Sequence, residues 1–126
     1  MSKYDQIAPV ILRLGLAIVF AWFGWQQLTH PGDWIAFVPS LTTNPWVTPE
    51  SLILVNGWAE IVAATLLLTG FQTRAVALLL CCHLLVIAIH AGGAIGVRDF
   101  GLALACLALA LLSVDRWTLD AKLQNE

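Results

Sequence analysis

Long apolar runs alternate with short polar clusters along the chain, and the runs set its architecture. Four of them are long enough, or nearly so, to cross a hydrocarbon core as helices, which takes about 20 residues. They extend approximately over Ala8 to Leu28, Ser51 to Thr69, Arg74 to Gly92 and Phe100 to Val114. The fourth approaches spanning length only when extended back to Val97, which places Arg98 and Asp99 close to an interface at its start. Gly70 to Thr73 and Gly93 to Asp99 are short links, so the helices they join are antiparallel neighbours. The prediction is an all-α, up-down-up-down four-helix membrane bundle, one domain over residues 1–126. The longer link, Thr29 to Glu50, contains Pro31, Pro39, Pro45 and Pro49, which forbid a continuous helix. Within it, Asp33 to Val38 (DWIAFV) is expected to form a short segment lying in the headgroup region.

Composition agrees with the pattern. The chain is 60% apolar and 11% charged, with a mean hydropathy of +0.84, well outside the soluble globular range. A net charge of -2 without a Lys/Arg cluster excludes a nucleic-acid partner. The basic residues speak about orientation instead. With the N-terminus inside, Lys3, Arg74, Arg116 and Lys122 lie on the inner side and Arg98 on the outer, so both termini are expected in the cytoplasm. Arg13, about a turn and a half inside the inner interface, is explained by snorkelling. Trp22, Trp25, Trp34, Trp46 and Trp58 fall towards the outer side, against Trp117 at the inner interface.

Polar residues can be placed by depth at about 1.5 Å per helical residue. Glu60 lies roughly 12 to 14 Å down the second helix from its outer end, and His83 about as deep on the third. Asn56 sits one turn above Glu60, and His90 two turns above His83, so Asn56 with His90 forms a second tier on the same faces. Gln26, Gln27 and His30 end the first helix at this side, with Arg98 and Asp99 opposite. A lipid-facing carboxylate at mid-depth is costly, so Glu60 is expected to face the bundle interior, where ionisable residues mark functional sites. Removed from water, it favours proton exchange over a fixed charge.

Two readings stand side by side. Asn56, Glu60 and the histidines are either interhelical hydrogen-bond partners, worth about 1 kcal/mol per bond, or the lining of an outward-opening pocket with Arg98 at its mouth. Asp99 has its own simple account as a local partner of Arg98 near a helix N-terminus, where the dipole favours an anion. Cys81, Cys82 and Cys106 lie inside apolar segments without a CxxC pattern, which argues against a structural disulfide. Cys82, His83 and Cys106 come near one level and offer soft-metal ligands, but successive helical residues diverge by about 100° and no metal site is expected. Gly92-Gly93-Ala-Ile-Gly96 and Gly101, Ala103, Ala105, Ala108 and Ala110 permit close helix approach within the bundle or in a homo-oligomer.

Arg13-Leu-Gly15 with Phe20 and Gly24, Asn56-Gly57-Trp-Ala-Glu60 leading to Leu68-Thr-Gly70 and Arg74, and Val97-Arg98-Asp99-Phe100-Gly101 resemble the DoxX family of small bacterial four-helix membrane proteins. The resemblance implies a cytoplasmic-membrane protein associated with respiratory or sulfur redox chemistry, relatives including the membrane subunit of thiosulfate:quinone oxidoreductase. Where members often carry Lys in a GxxKL pattern, this chain has Gly24-Trp-Gln-Gln27-Leu, which puts an anionic substrate bound by that lysine in doubt. The expected function is a redox-linked, quinone- or small-molecule-binding protein. Glu60 and His83 exchange protons in it, while Asn56, His90, Arg98 and Gln27 contact the ligand. With no Gly-rich nucleotide motif, redox activity calls for a quinone or a partner subunit. The alternative is a non-enzymatic membrane adaptor or small-solute conduit, recognisable by a polar track continuing past Glu60 to the inner side.

Overall fold

A computed structural model describes residues 2–39, 44–112 and 115–126. Four long helices form the body: α1 (Lys3–Thr29), α2 (Pro49–Thr69), α3 (Thr73–Ala91) and α4 (Gly93–Leu111). Each is long and apolar enough to cross a membrane. A 3-10 helix, η1 (Pro31–Phe37), follows α1, and a short α5 (Leu119–Gln124) closes the chain. The expected segment in the first link is therefore present as η1, and the four predicted spans are all helices.

Local chemistry fixes the boundaries. α1 opens with a capping box: the Ser2 hydroxyl accepts from Asp5 N–H and the Asp5 carboxylate accepts from Ser2 N–H. α2 starts with Thr48 as N-cap and Pro49 in its first turn. α4 begins at Gly93 rather than near Val97, because the reversal from α3 takes a single residue, Gly92. Gly92 and Gly93 hold φ +62 and +57, open to glycine at no steric cost. The link expected over Gly93 to Asp99 is thus helix, and Arg98 and Asp99 lie inside it.

The helices form two hairpins: α1 packs chiefly on α2, α3 chiefly on α4, and the hairpins touch each other much less. Their shared core contains Leu16, Ala17, Phe20, Ala64, Leu67, Ala77, Leu80, Leu84, Ala103 and Cys106. Ile11, Ile18, Val62, Leu79, Val86 and Ile89 are exposed on the outside of the bundle, the surface a bilayer requires. Both termini lie at one end of the bundle and η1 at the other.

At the terminal end Arg13 does not snorkel. It is buried, its Nε 2.9 Å from Asp115 Oδ2. Its Nη1 donates to the carbonyls of Leu67 and Leu68 at 2.6 and 2.8 Å. An arginine that finds a carboxylate and two helix-terminal carbonyls inside the protein gains nothing by reaching for water.

Candidate functional site

Between the hairpins, at the η1 end, lies a cavity of about 510 Å³. All four spans and η1 line it, which follows from the sparse contact between hairpins. α1 contributes the stripe Val19, Phe20, Phe23, Gln26 and Gln27, at the three- and four-residue spacing of one helical face. α4 contributes Ile95, Arg98, Asp99 and Leu102 at the same spacing, and η1 folds Trp34 and Phe37 against it. The wall is mostly apolar with a few polar groups, the usual make-up of a small-molecule site.

Three of those polar groups form a closed ring. Gln27 Nε2 donates to Glu60 Oε2 at 3.0 Å, while Asn56 Nδ2 donates to Gln27 Oε1 at 2.7 Å and to Glu60 Oε1 at 3.2 Å. Gln27 and Glu60 are 5% and 6% exposed, so without the ring each would carry the full cost of an unpaired buried polar group. Gly24 and Gly57 make the ring possible. A Cβ on Gly24 would lie 2.8 Å from Gly57 O, so α1 and α2 approach backbone to backbone one turn from Gln27 and Glu60.

His83 lines the same cavity from α3, and its buried Nε2 has no hydrogen-bond partner among the described residues. Asp99 is 5% exposed and close enough to act electrostatically on both Glu60 and His83. Its Oδ1 accepts from Arg98 Nε at 3.1 Å. The half-exposed guanidinium lies 5.2 Å from the Phe23 ring centroid, and Phe23 in turn meets Trp34 edge-on at 5.6 Å. This chain joins α4, α1 and η1 along the cavity wall.

Of the expected site residues, Glu60, His83, Asn56, Arg98 and Gln27 all line the cavity. His90 does not. It is exposed, and its Nδ1 lies 2.8 Å from Val86 O of its own helix. The expected tier of Asn56 with His90 is replaced by Asn56 with Gln27. The lining face of α3 runs through His83, Leu84, Ile87 and Ala91, so His83 is at its edge and a seven-residue step, which drifts by about 20°, carries His90 off it. His30 also stays outside, exposed and paired with Thr29. Cys82 is exposed whereas Cys106 is fully buried, so they do not converge on His83. Among the described residues no group of three His, Cys, Asp or Glu could hold a metal ion.

Asp99 goes beyond its expected role as a simple cap. Its signal in the sequence is the spacing from Ile95 to Leu102, readable once α4 starts at Gly93.

An all-α bundle with four helices long and apolar enough to cross a membrane, and with one carboxyl and two amides hydrogen-bonded beside an apolar cavity, has the make-up of a small polytopic membrane protein. The DoxX family profile matches residues 8–93, well over half of the chain, and the protein belongs to the DoxX family. The match ends before Arg98-Asp99-Phe100-Gly101, so those residues stand outside it. No curated protein and no solved structure matches the chain.

Proposed function

We propose that the protein binds a quinone head group, or a comparable carbonyl-bearing amphiphile, in the cavity at the η1 end, and that it serves as a redox-linked membrane subunit. The observation that carries this reading is the buried Gln27–Asn56–Glu60 ring on the wall of a mostly apolar cavity that His83 also lines. A quinone needs hydrogen-bond donors at its carbonyls and protons on reduction, and its tail needs an apolar exit. Asn56 Nδ2 gives both hydrogens to the ring, but Gln27 Nε2 has a second hydrogen for a ligand carbonyl. Glu60 and the His83 imidazole are the proton-exchanging groups, and the loosely joined hairpins let a tail pass between helices. Electrons come from a partner subunit or from exchange with the quinone pool.

A solute conduit has less support. On the terminal side of Glu60 the interior is filled by Leu16, Ala17, Ala64, Leu67, Ala77 and Leu80. Thr65 and Thr69 are exposed and donate to carbonyls of their own helix. Basic residues Lys3, Arg74, Arg116 and Lys122 gather at the terminal end, which favours a bacterial cytoplasmic membrane with both termini in the cytoplasm and the cavity on the opposite side.

Native mass spectrometry of the purified protein tests the reading. A co-purifying quinone is expected, and it should be lost from Glu60→Gln or His83→Ala. Its retention in both variants would remove the assignment.

A further inference from the structure

The charges around the cavity restrict the head group further, an inference that rests on the ligand-binding reading above. Three carboxyl groups line the wall from three elements: Asp33 on η1, Glu60 on α2 and Asp99 on α4. Arg98 stands with them, its Nε already donating to Asp99 and its guanidinium set over Phe23. Both Glu60 oxygens accept from the amides of Gln27 and Asn56. Asp33 is exposed. The wall therefore carries three carboxyl groups against one guanidinium, that of Arg98.

We infer that this cavity favours uncharged, hydrogen-bond-accepting head groups over carboxylate, sulfonate and phosphate heads. An anion would meet the carboxyl groups across apolar surroundings that screen little. Arg98 offsets this only in part, because its Nε is shared with Asp99 and its side chain is half-exposed, where attraction is screened. A carbonyl escapes this repulsion and accepts from Gln27.

Two probes of equal tail length separate these cases: methyl decanoate and decanoate, each titrated into the purified protein and read by tryptophan fluorescence, Trp34 being on the wall. The ester should bind at least about tenfold more tightly than decanoate. In Asp99→Asn, which frees Arg98, decanoate should gain about tenfold while the ester shifts by less than about twofold. Partition into the micelle is common to wild type and variant and cancels in that comparison. Asp33→Asn, which removes an exposed carboxyl group of the same wall, provides a second reading should Asp99→Asn fail to fold: it too should favour decanoate selectively.

Decanoate binding as tightly as the ester overturns the inference, as does a gap between them unchanged in the folded variants. A decyl-substituted benzoquinone added as competitor distinguishes the two levels of the argument. If it fails to displace the ester, the quinone reading falls and the charge rule stands. If it displaces the ester but decanoate does so equally well, the charge rule alone falls.

Discussion

Arg13 and Asp115, 102 residues apart in the chain, form a buried ion pair with Nε 2.9 Å from Oδ2. The same guanidinium donates to the carbonyls of Leu67 and Leu68 in the last turn of α2. One side chain thus ties α1, the end of α2 and the C-terminal segment together. Asp115→Asn strands a buried cation and should lower stability by about 3 kcal/mol. Arg98→Gln, whose pair with Asp99 is half-exposed on the arginine side, should cost less, because the glutamine amide can still donate to the Asp99 carboxylate. Unfolding in detergent measures both; equal losses would contradict the assignment of Arg13 as an internal anchor.

Asp120 caps a helix it does not belong to. Its carboxylate accepts from Gln72 N–H at 2.7 Å and Thr73 N–H at 2.8 Å, two donors that the start of α3 exposes. Asp120→Ala should cost about 1 kcal/mol and speed hydrogen exchange in the first turn of α3, leaving the middle of α3 protected. Exchange unchanged in that turn would show that the cap is dispensable.

Gly70 sits where α2 ends, at φ +71, and a Cβ there would lie 2.4 Å from Thr118 Cβ. Thr118 is 1% exposed and donates to Asp115 O at 2.8 Å, so it has little room to yield. Gly70→Ala combines a left-handed conformation unfavourable to alanine with a collision, and should cost about 2 kcal/mol or more. Thermal unfolding checks this, and Gly70→Ala,Thr118→Ser should recover part of the loss by removing the methyl group.

These predictions involve pairings that depth and periodicity do not reveal. The four spans and η1 were legible because apolar runs and prolines are local signals, and Asn56 with Glu60 was legible because both stand on one helix. Gln27 was visible as a departure from a family pattern but not as a partner of Glu60. The link between α1 and α2 is long, and its length leaves their register free. Gly92-Gly93 reads as a linker from composition, yet one residue turns the chain, and the early start of α4 brings Asp99 to the cavity. Arg13 has a sufficient explanation in snorkelling until Asp115 folds back from the far end of the chain.

The register itself can be tested at Gly24. A Cβ there would meet Gly57 O at 2.8 Å and Ile61 Cγ1 at 2.9 Å. Ile61 can turn away, but the Gly57 carbonyl belongs to the α2 backbone, so Gly24→Ala must push the two helices apart. Overpacking of this kind costs about 1–3 kcal/mol. The separation falls one turn from the Gln27–Glu60 bond, whose 3.0 Å length has little margin. Gly15 provides the control on the same helix, since a Cβ there meets nothing within 4 Å. Gly15→Ala should leave stability unchanged or raise it by about 0.5–1 kcal/mol, and should leave ester binding in the cavity intact. Gly24→Ala should lower both stability and binding. If the two alanines behave alike, the close approach of α1 and α2 does not hold the ring, and Gln27 and Glu60 must be kept together by the cavity wall instead.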